Sequence, residues 1–183
     1  AYRDPASLYR MNAQSRAIES AFTARGIPYR IYGGLRFFER QEVKHVLAYL
    51  RLLDGAGDDT SFLRVVNMPT RGIGAKTIEK LVDDASHTGM SLWATLTHPS
   101  YTPAPKLAAF RDLIYKIRTE AEVKNYNLSD TISLVIQRSG LEDFYSNEKD
   151  GEERLANMTE MVPAALGYLK NEGIPPDTQA FEI

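Results

Sequence analysis

A chain of 183 residues with 43% hydrophobic and 25% charged content can bury a real core and fits one or two ordinary soluble domains. Its formal net charge of -2 excludes a uniformly basic nucleic-acid coat, so any DNA contact must come from local patches or backbone amides. The absence of cysteine removes disulfides, thiolate zinc sites and cysteine nucleophiles, and is compatible with a reducing cytoplasm.

His45, His87 and His98 are scattered, and nothing in their spacing points to a metal site. No apolar run approaches the roughly 18 to 20 residues of a membrane span, and the start Ala-Tyr-Arg-Asp-Pro has no signal-peptide pattern. A soluble, cytoplasmic protein without a membrane partner is expected. The chain starts close to a short apolar segment and stops at Ala180-Phe181-Glu182-Ile183 in what reads as mid-element, so it is expected to be an excised fragment.

In chain order, residues 6–10 are predicted as a strand and 13–25 as a helix, with Asn12 as its cap, Ile18, Ala21 and Phe22 on one face and Gly26 after its end. Residues 29–32 read as the next strand, completing a strand-helix-strand unit that expects neighbours on its sheet. Gly33 and Gly34 supply the backbone freedom for a sharp exit and are candidate hinge residues. Phe37 and Phe38 could stack on bases, although plugging a junction between two domains is the better reading.

From Glu39 the pattern is helical almost throughout. Val43, Val46, Leu47, Leu50 and Leu53 make one stripe, which Gly55, Gly57 and Asp58 interrupt. Arg40, Lys44 and Arg51, with Arg36 upstream, offer a basic stripe that is either a DNA contact or a solvated face balanced by Glu39 and Glu42. Short helices are predicted over 61–67 and 92–96, and one over 76–87 with Ile78, Leu81, Val82 and Ala85 inward. The acid pairs Asp58-Asp59 and Asp83-Asp84 read as capping or solvation.

Pro99, Pro103 and Pro105 mark a loop before a long amphipathic helix over 106–124, carried by Leu107, Phe110, Leu113, Ile114, Ile117 and Ala121. Ser129 is expected to cap a helix carrying Ile132, Val135 and Ile136, which Gly140 closes. The last stripe is Leu155, Met158, Val162, Ala165, Leu166 and Leu169. Pro163 lies inside it, where an interior proline costs about 3 kcal/mol, so a kink or break is expected.

Between the helices at 61–67 and 76–87, Pro69 ends one helix, Gly72-Ile73-Gly74 makes a tight turn with an apolar anchor, and the next helix starts at once. That is the layout of a helix-hairpin-helix, in which glycines let the backbone approach a phosphate and N-terminal amides point at it. From Gly-x-Gly alone an ordinary helix-helix turn is the better reading. Arg71, Lys76 and Thr77 add two charges and a hydroxyl around it.

Three stretches carry a family resemblance: Leu-Tyr-Arg-Met-Asn-Ala-Gln-Ser-Arg at 8–16, Tyr-Arg-Ile-Tyr-Gly-Gly-Leu-Arg-Phe-Phe-Glu-Arg-Gln-Glu-Val-Lys at 29–44 with its helical continuation to Leu53, and Val-Asn-Met-Pro-Thr-Arg-Gly-Ile-Gly at 66–74. In this order they resemble the second RecA-like half of superfamily 1A DNA helicases of the UvrD/PcrA/Rep group, at the point where the helical subdomain 2B is inserted. The resemblance implies a mainly α chain: residues 1–35 a partial RecA-like domain 2A of strand-helix-strand form, and 36–183 a C-terminally truncated, all-helical 2B with a helix-hairpin-helix-like turn. It also implies that Arg10 and Asn12, which by spacing alone read as an exposed charge and a helix cap, touch single-stranded DNA. Arg71, Gly72, Ile73, Gly74, Lys76 and Thr77 would contact duplex DNA, and the arm would swivel about Gly33-Gly34.

No Gly-x-x-x-x-Gly-Lys-Ser/Thr loop and no Asp-Glu pair after a strand is present, so no catalytic residue, cofactor or metal is assigned to this chain. ATP and Mg belong to the parent, expected to be an ATP-dependent 3′ to 5′ DNA helicase of repair or replication. Its expected partners are DNA at a single-strand/duplex junction, the rest of the helicase chain, and repair proteins. The alternatives are the helicase part of a recombination helicase-nuclease and a non-catalytic helical scaffold.

Overall fold

The computed structural model describes residues 18, 20–22, 24–27, 37–55 and 57–182. Within them the chain is mainly α, and extended pairing is limited to one isolated antiparallel bridge between Asn127 and Gln179. The expected strands at 6–10 and 29–32, and with them the strand-helix-strand unit, lie outside the described residues. Residues 18, 20–22 and 24 are helical and end as the glycine requires. Gly26 takes φ +64° and the Ile27 N–H donates to Phe22 O at 2.9 Å, the six-to-one bond of a Schellman end.

A short 3-10 turn, Phe37–Glu39, leads into α1, Gln41–Leu53. α1 is the hub of the domain: α2 (Asp59–Val65), α5 (Pro105–Val123), α6 (Leu128–Arg138) and α8 (Gly151–Thr159) all pack on it. Neighbours on several sides bury far more than a stripe. Glu42, Val43, His45, Val46, Ala48, Tyr49, Leu52 and Leu53 are all buried, while Leu47 and Leu50 of the expected stripe are half-buried. Each fully buried Val or Leu side chain contributes about 1.5–3 kcal/mol. α3 (Ala75–Thr88) packs mainly on α4 (Leu92–Thr97), α7 (Leu141–Ser146) on α8, and α9 (Met161–Glu172) on α6.

Local chemistry sets the helix ends. Asp58 caps α2, accepting from the Ser61 N–H at 3.1 Å, and Asp59 accepts from the Leu92 N–H at 2.7 Å, which ties the start of α2 to the start of α4. Pro105 is not loop but the first residue of α5, where its missing N–H costs nothing. The cap of α6 is Asn127 rather than the expected Ser129: Asn127 Oδ1 accepts from the Asp130 N–H at 2.9 Å, and Ser129 is buried inside the first turn. Gly140, at φ +82°, closes α6 and opens α7.

Pro163 produces the expected break. The chain bends at Glu160, between α8 and α9, so that Pro163 is an exposed third residue of α9, where the backbone amides have no intrahelical acceptor to lose. Two inward assignments do not hold. Val82 and Leu166 are 37% and 41% exposed: α3 packs mainly on α4 and α9 mainly on α6, and these two side chains stay uncovered. After α9 the chain returns to the α5–α6 connection, where the Ala180 N–H donates to Tyr126 O at 3.1 Å and Phe181 lies under the Arg118 guanidinium. Among the described residues no helix is long and apolar enough to cross a membrane.

The polar groups buried on α1 form one chain of contacts. Arg40 stacks on Phe37 and donates to Asn157 Oδ1 at 2.7 Å; the Asn157 amide nitrogen donates to Glu42 at 2.7 Å, and Arg154 reaches the other Glu42 oxygen at 3.3 Å. This is the Asn157 orientation that satisfies both neighbours at once. Arg154 lies over the Tyr145 ring, whose hydroxyl is hydrogen-bonded to His45 Nδ1 at 2.7 Å. Burial pushes the Tyr145 hydroxyl up to about 12 and, with the Arg64 and Arg154 charges, holds His45 down at about 4.

The depressed His45 value gives a signed expectation. Between pH 6.5 and about 4 the unfolded chain takes up a proton that the folded one refuses, so stability falls as pH falls through that window and levels off below it. Urea denaturation at pH 7.5 and 4.5 should show His45→Asn losing about 2–3 kcal/mol less than the wild type on acidification. A Cβ on Gly151 would lie 2.6 Å from the Tyr145 carbonyl oxygen, so Gly151→Ala should cost about 1–3 kcal/mol. At Gly167, where nothing lies within 4 Å, the same change should add about 0.5–1 kcal/mol.

Candidate nucleic-acid interface

The connection between α2 and α3, residues 66–74, is built from groups that leave it little freedom. α2 stops at Val65, four residues before Pro69, and Val66 is its C-cap. The Tyr49 hydroxyl, buried on α1, donates to Met68 O at 2.6 Å, and burial raises this phenol to about 12, so it stays protonated as a donor. Asn67 accepts through Oδ1 from two amides further along, Arg71 at 2.8 Å and Ile73 at 3.2 Å. That pairing folds the loop back on itself. Ile73 is 4% exposed and pins the turn to the core.

Gly72 and Gly74 need glycine for different reasons. Gly72 sits at φ +66°, a left-handed conformation that other residues adopt at a cost. Gly74 is the N-cap of α3 with ordinary angles of φ -78° and ψ 161°, and a Cβ there would meet nothing within 4 Å. The fold does not require glycine at 74. Glycine is nonetheless a favourable N-cap, and without a side chain it leaves the backbone at the start of α3 open to close approach.

The turn leaves a set of donors in solvent. The amides of Gly72, Gly74, Ala75 and Lys76 have no acceptor among the described residues, and all four residues are exposed. Gly74 provides no capping side chain, so the first turn of α3 keeps its positive end uncovered. Thr77 is half-buried, with its N–H donated to Gly74 O at 3.0 Å. Lys76 is exposed beside these amides, and Lys106, at the start of α5, reaches over the turn to within 3.0 Å of Gly72 O. Four amides and two ammonium groups on one turn can hold an anion of phosphate size.

Of the residues singled out from sequence, Gly72, Gly74, Lys76 and Thr77 are therefore brought together, whereas the side chains of Arg71 and Ile73 face the protein. The Arg71 guanidinium donates to Pro69 O at 2.9 Å and Ser139 O at 2.7 Å, and lies over the Tyr49 and Phe110 rings at 5.9 and 5.5 Å. Lys106 escaped sequence reading because 34 residues separate it from Gly72 and no local spacing links them. Tyr49 escaped it for the same reason, 19 residues from Met68, whereas Asn67 acts locally, on amides four and six residues ahead.

The basic stripe on α1 is not formed. Arg40, its N-cap, is turned into the Asn157 contact and buried, and Arg51 pairs with Asp58 at 3.4 Å. Phe37 is buried and Phe38 is 52% exposed, so these neighbours serve different surroundings. Arg10, Asn12, Gly33 and Gly34 lie outside the described residues.

A family profile, the UvrD-like helicase C-terminal domain, matches residues 1–104. The chain is 40% identical over 185 residues to DNA helicase II of Haemophilus influenzae, an alignment covering 96% of this chain and 25% of that protein. It is likewise 40% identical over 176 residues to DNA helicase II of Escherichia coli, covering 91% and 24%. With the ATP-dependent DNA helicase PcrA of Staphylococcus epidermidis it shares 33% over 177 residues, covering 93% and 24%. The chain thus spans about a quarter of the length of these curated relatives. With more than half of its length matched by the profile, the chain belongs to the UvrD-like helicase C-terminal domain family.

Proposed function

We propose that this chain is the DNA-handling part of an ATP-dependent 3′ to 5′ DNA helicase, and that the α2–α3 turn grips the sugar-phosphate backbone of the duplex as a helix-hairpin-helix. The observation that carries this reading is the exposed array of unpartnered amides at Gly72, Gly74, Ala75 and Lys76, flanked by Lys76 and Lys106. Backbone amides recognise phosphate oxygens without regard to base, which suits a motor that must move along any sequence. Gly74 fits the same reading, since a side chain there would hold a phosphate away from the amides.

In this proposal residues 1–35 belong to a RecA-like lobe, with Arg10 and Asn12 on the translocated strand and Gly33-Gly34 as the hinge, while residues 36–183 form the helical arm. ATP and Mg act elsewhere in the parent chain. The chain itself contributes grip and orientation. Similarity to DNA helicase II and PcrA along nearly its whole length supports this assignment.

The test is a fluorescence titration of the chain with a labelled blunt-ended duplex at several salt concentrations. Lys76→Ala and Lys106→Ala should each make the log–log salt slope shallower by about 0.9, as expected for the loss of one neutralised phosphate. Gly74→Val should lower affinity on the order of tenfold with the slope and the melting temperature little changed. Wild-type affinity in all three variants would remove the turn from the DNA contact.

A further inference from the structure

Arg71 is the residue that a reading of charge places on the DNA, and the structure gives it a different task. Its guanidinium is half-buried, donates to carbonyls on both sides of the turn's base, Pro69 and Ser139, and is flanked by the Tyr49 and Phe110 rings. A third carbonyl, Val65 O, lies at 3.4 Å. A planar fork can serve several carbonyls and pack against rings, whereas a lysine ammonium is a point donor on a flexible stem. On the solvent side, exposed Asn67 accepts from the Arg71 and Ile73 amides with one oxygen. With those two amides taken up by Asn67, the amides of Gly72, Gly74, Ala75 and Lys76 are the ones left without an acceptor among the described residues.

We infer that Arg71 and Asn67 are positioning residues: they fix the turn so that its free amides stand ready as an array, and Arg71 itself does not touch DNA. The inference rests on the proposed duplex contact of the turn but names a different set of atoms. Preformed donors lose no orientational freedom when an anion arrives, which is how a small contact made of neutral amides gains affinity. The α6–α7 elbow takes part, because Ser139 O holds one arm of the guanidinium and Pro69 packs 3.6 Å from where a Gly140 Cβ would lie.

Two measurements on the 183-residue chain decide it. In the duplex titration, Arg71→Lys keeps the charge and loses the fork. It should bind on the order of tenfold more weakly, as Arg71→Ala does, with the salt slope unchanged in both. Wild-type affinity for Arg71→Lys, together with a slope shallower by about 0.9 for Arg71→Ala, would instead make Arg71 a direct phosphate ligand and overturn the inference. Amide hydrogen exchange reads the same point without DNA. The Ile73 amide should be protected in the wild type and lose protection in both Asn67→Ala and Arg71→Lys, while the amides of α1 keep theirs. Ile73 protection that survives both substitutions would also overturn it. Asn67 is on the surface, so its variant folds even if Arg71→Ala does not. Failure of the wild-type chain to bind any duplex would defeat the proposed DNA contact, and the exchange result would still decide whether these residues hold the turn.

Discussion

The guanidinium of Arg71 is the contact on which the candidate site depends. The connection from α2 to α3 buries Val66 and Ile73, keeps Met68, Pro69 and Arg71 half-buried, and leaves Asn67, Thr70, Gly72 and Gly74 exposed. A loop of that kind is ordinarily loose. Here one charged group, flanked by Tyr49 and Phe110, links the loop at Pro69 to the α6–α7 elbow at Ser139. The Tyr49 hydroxyl completes the attachment from below through Met68. The loop is therefore attached to α1, eight of whose thirteen residues are buried.

The same economy explains the composition of α1. Its neighbours surround it, so polar residues that a surface helix would direct to water are instead enclosed and must find partners inside. Arg40, Asn157, Glu42, Arg154, Tyr145 and His45 meet that demand as one continuous chain of contacts, which joins the start of α1 to α7 and α8. Breaking such a chain at one member strands a buried charge, whereas keeping it whole adds little net stability. Its effect is on orientation: it fixes the angle at which residues following the 3-10 turn enter the bundle.

Two parts of the domain thus meet at α1 from opposite ends. Near its start, the buried polar chain ties α1 to α7 and α8. Near its end, Tyr49 and the packing of α2 set where the amide turn projects. The acidic residues of α7 and α8 lie on elements other than those bearing Lys76 and Lys106. In a chain with net charge -2, the proposed anion site rests on a local grouping, the ammonium groups of Lys76 and Lys106 beside the free amides.

Periodicity and punctuation, read along the chain, determined most of the helices and several of their ends. Gly26 and Gly140 close helices where expected, the 106–124 pattern is α5 within a residue or two, and Pro163 breaks the last stripe. These features are local, set by neighbours within about one helical turn, and so are visible in a linear text. The left-handed Gly72 and the helix start after Gly74 were legible too, because glycines before a helix are a local device. The sequence could not say which side chains around it face outward. Arg71 and Arg40 carry the charge of DNA ligands but are turned inward, while Lys106 arrives from a distant helix. Val82 and Leu166 read as core yet stay exposed. Only the tertiary structure decided these, because the direction of a side chain depends on which surfaces lie opposite it. Here those surfaces are contributed by residues from 34 to 117 positions away.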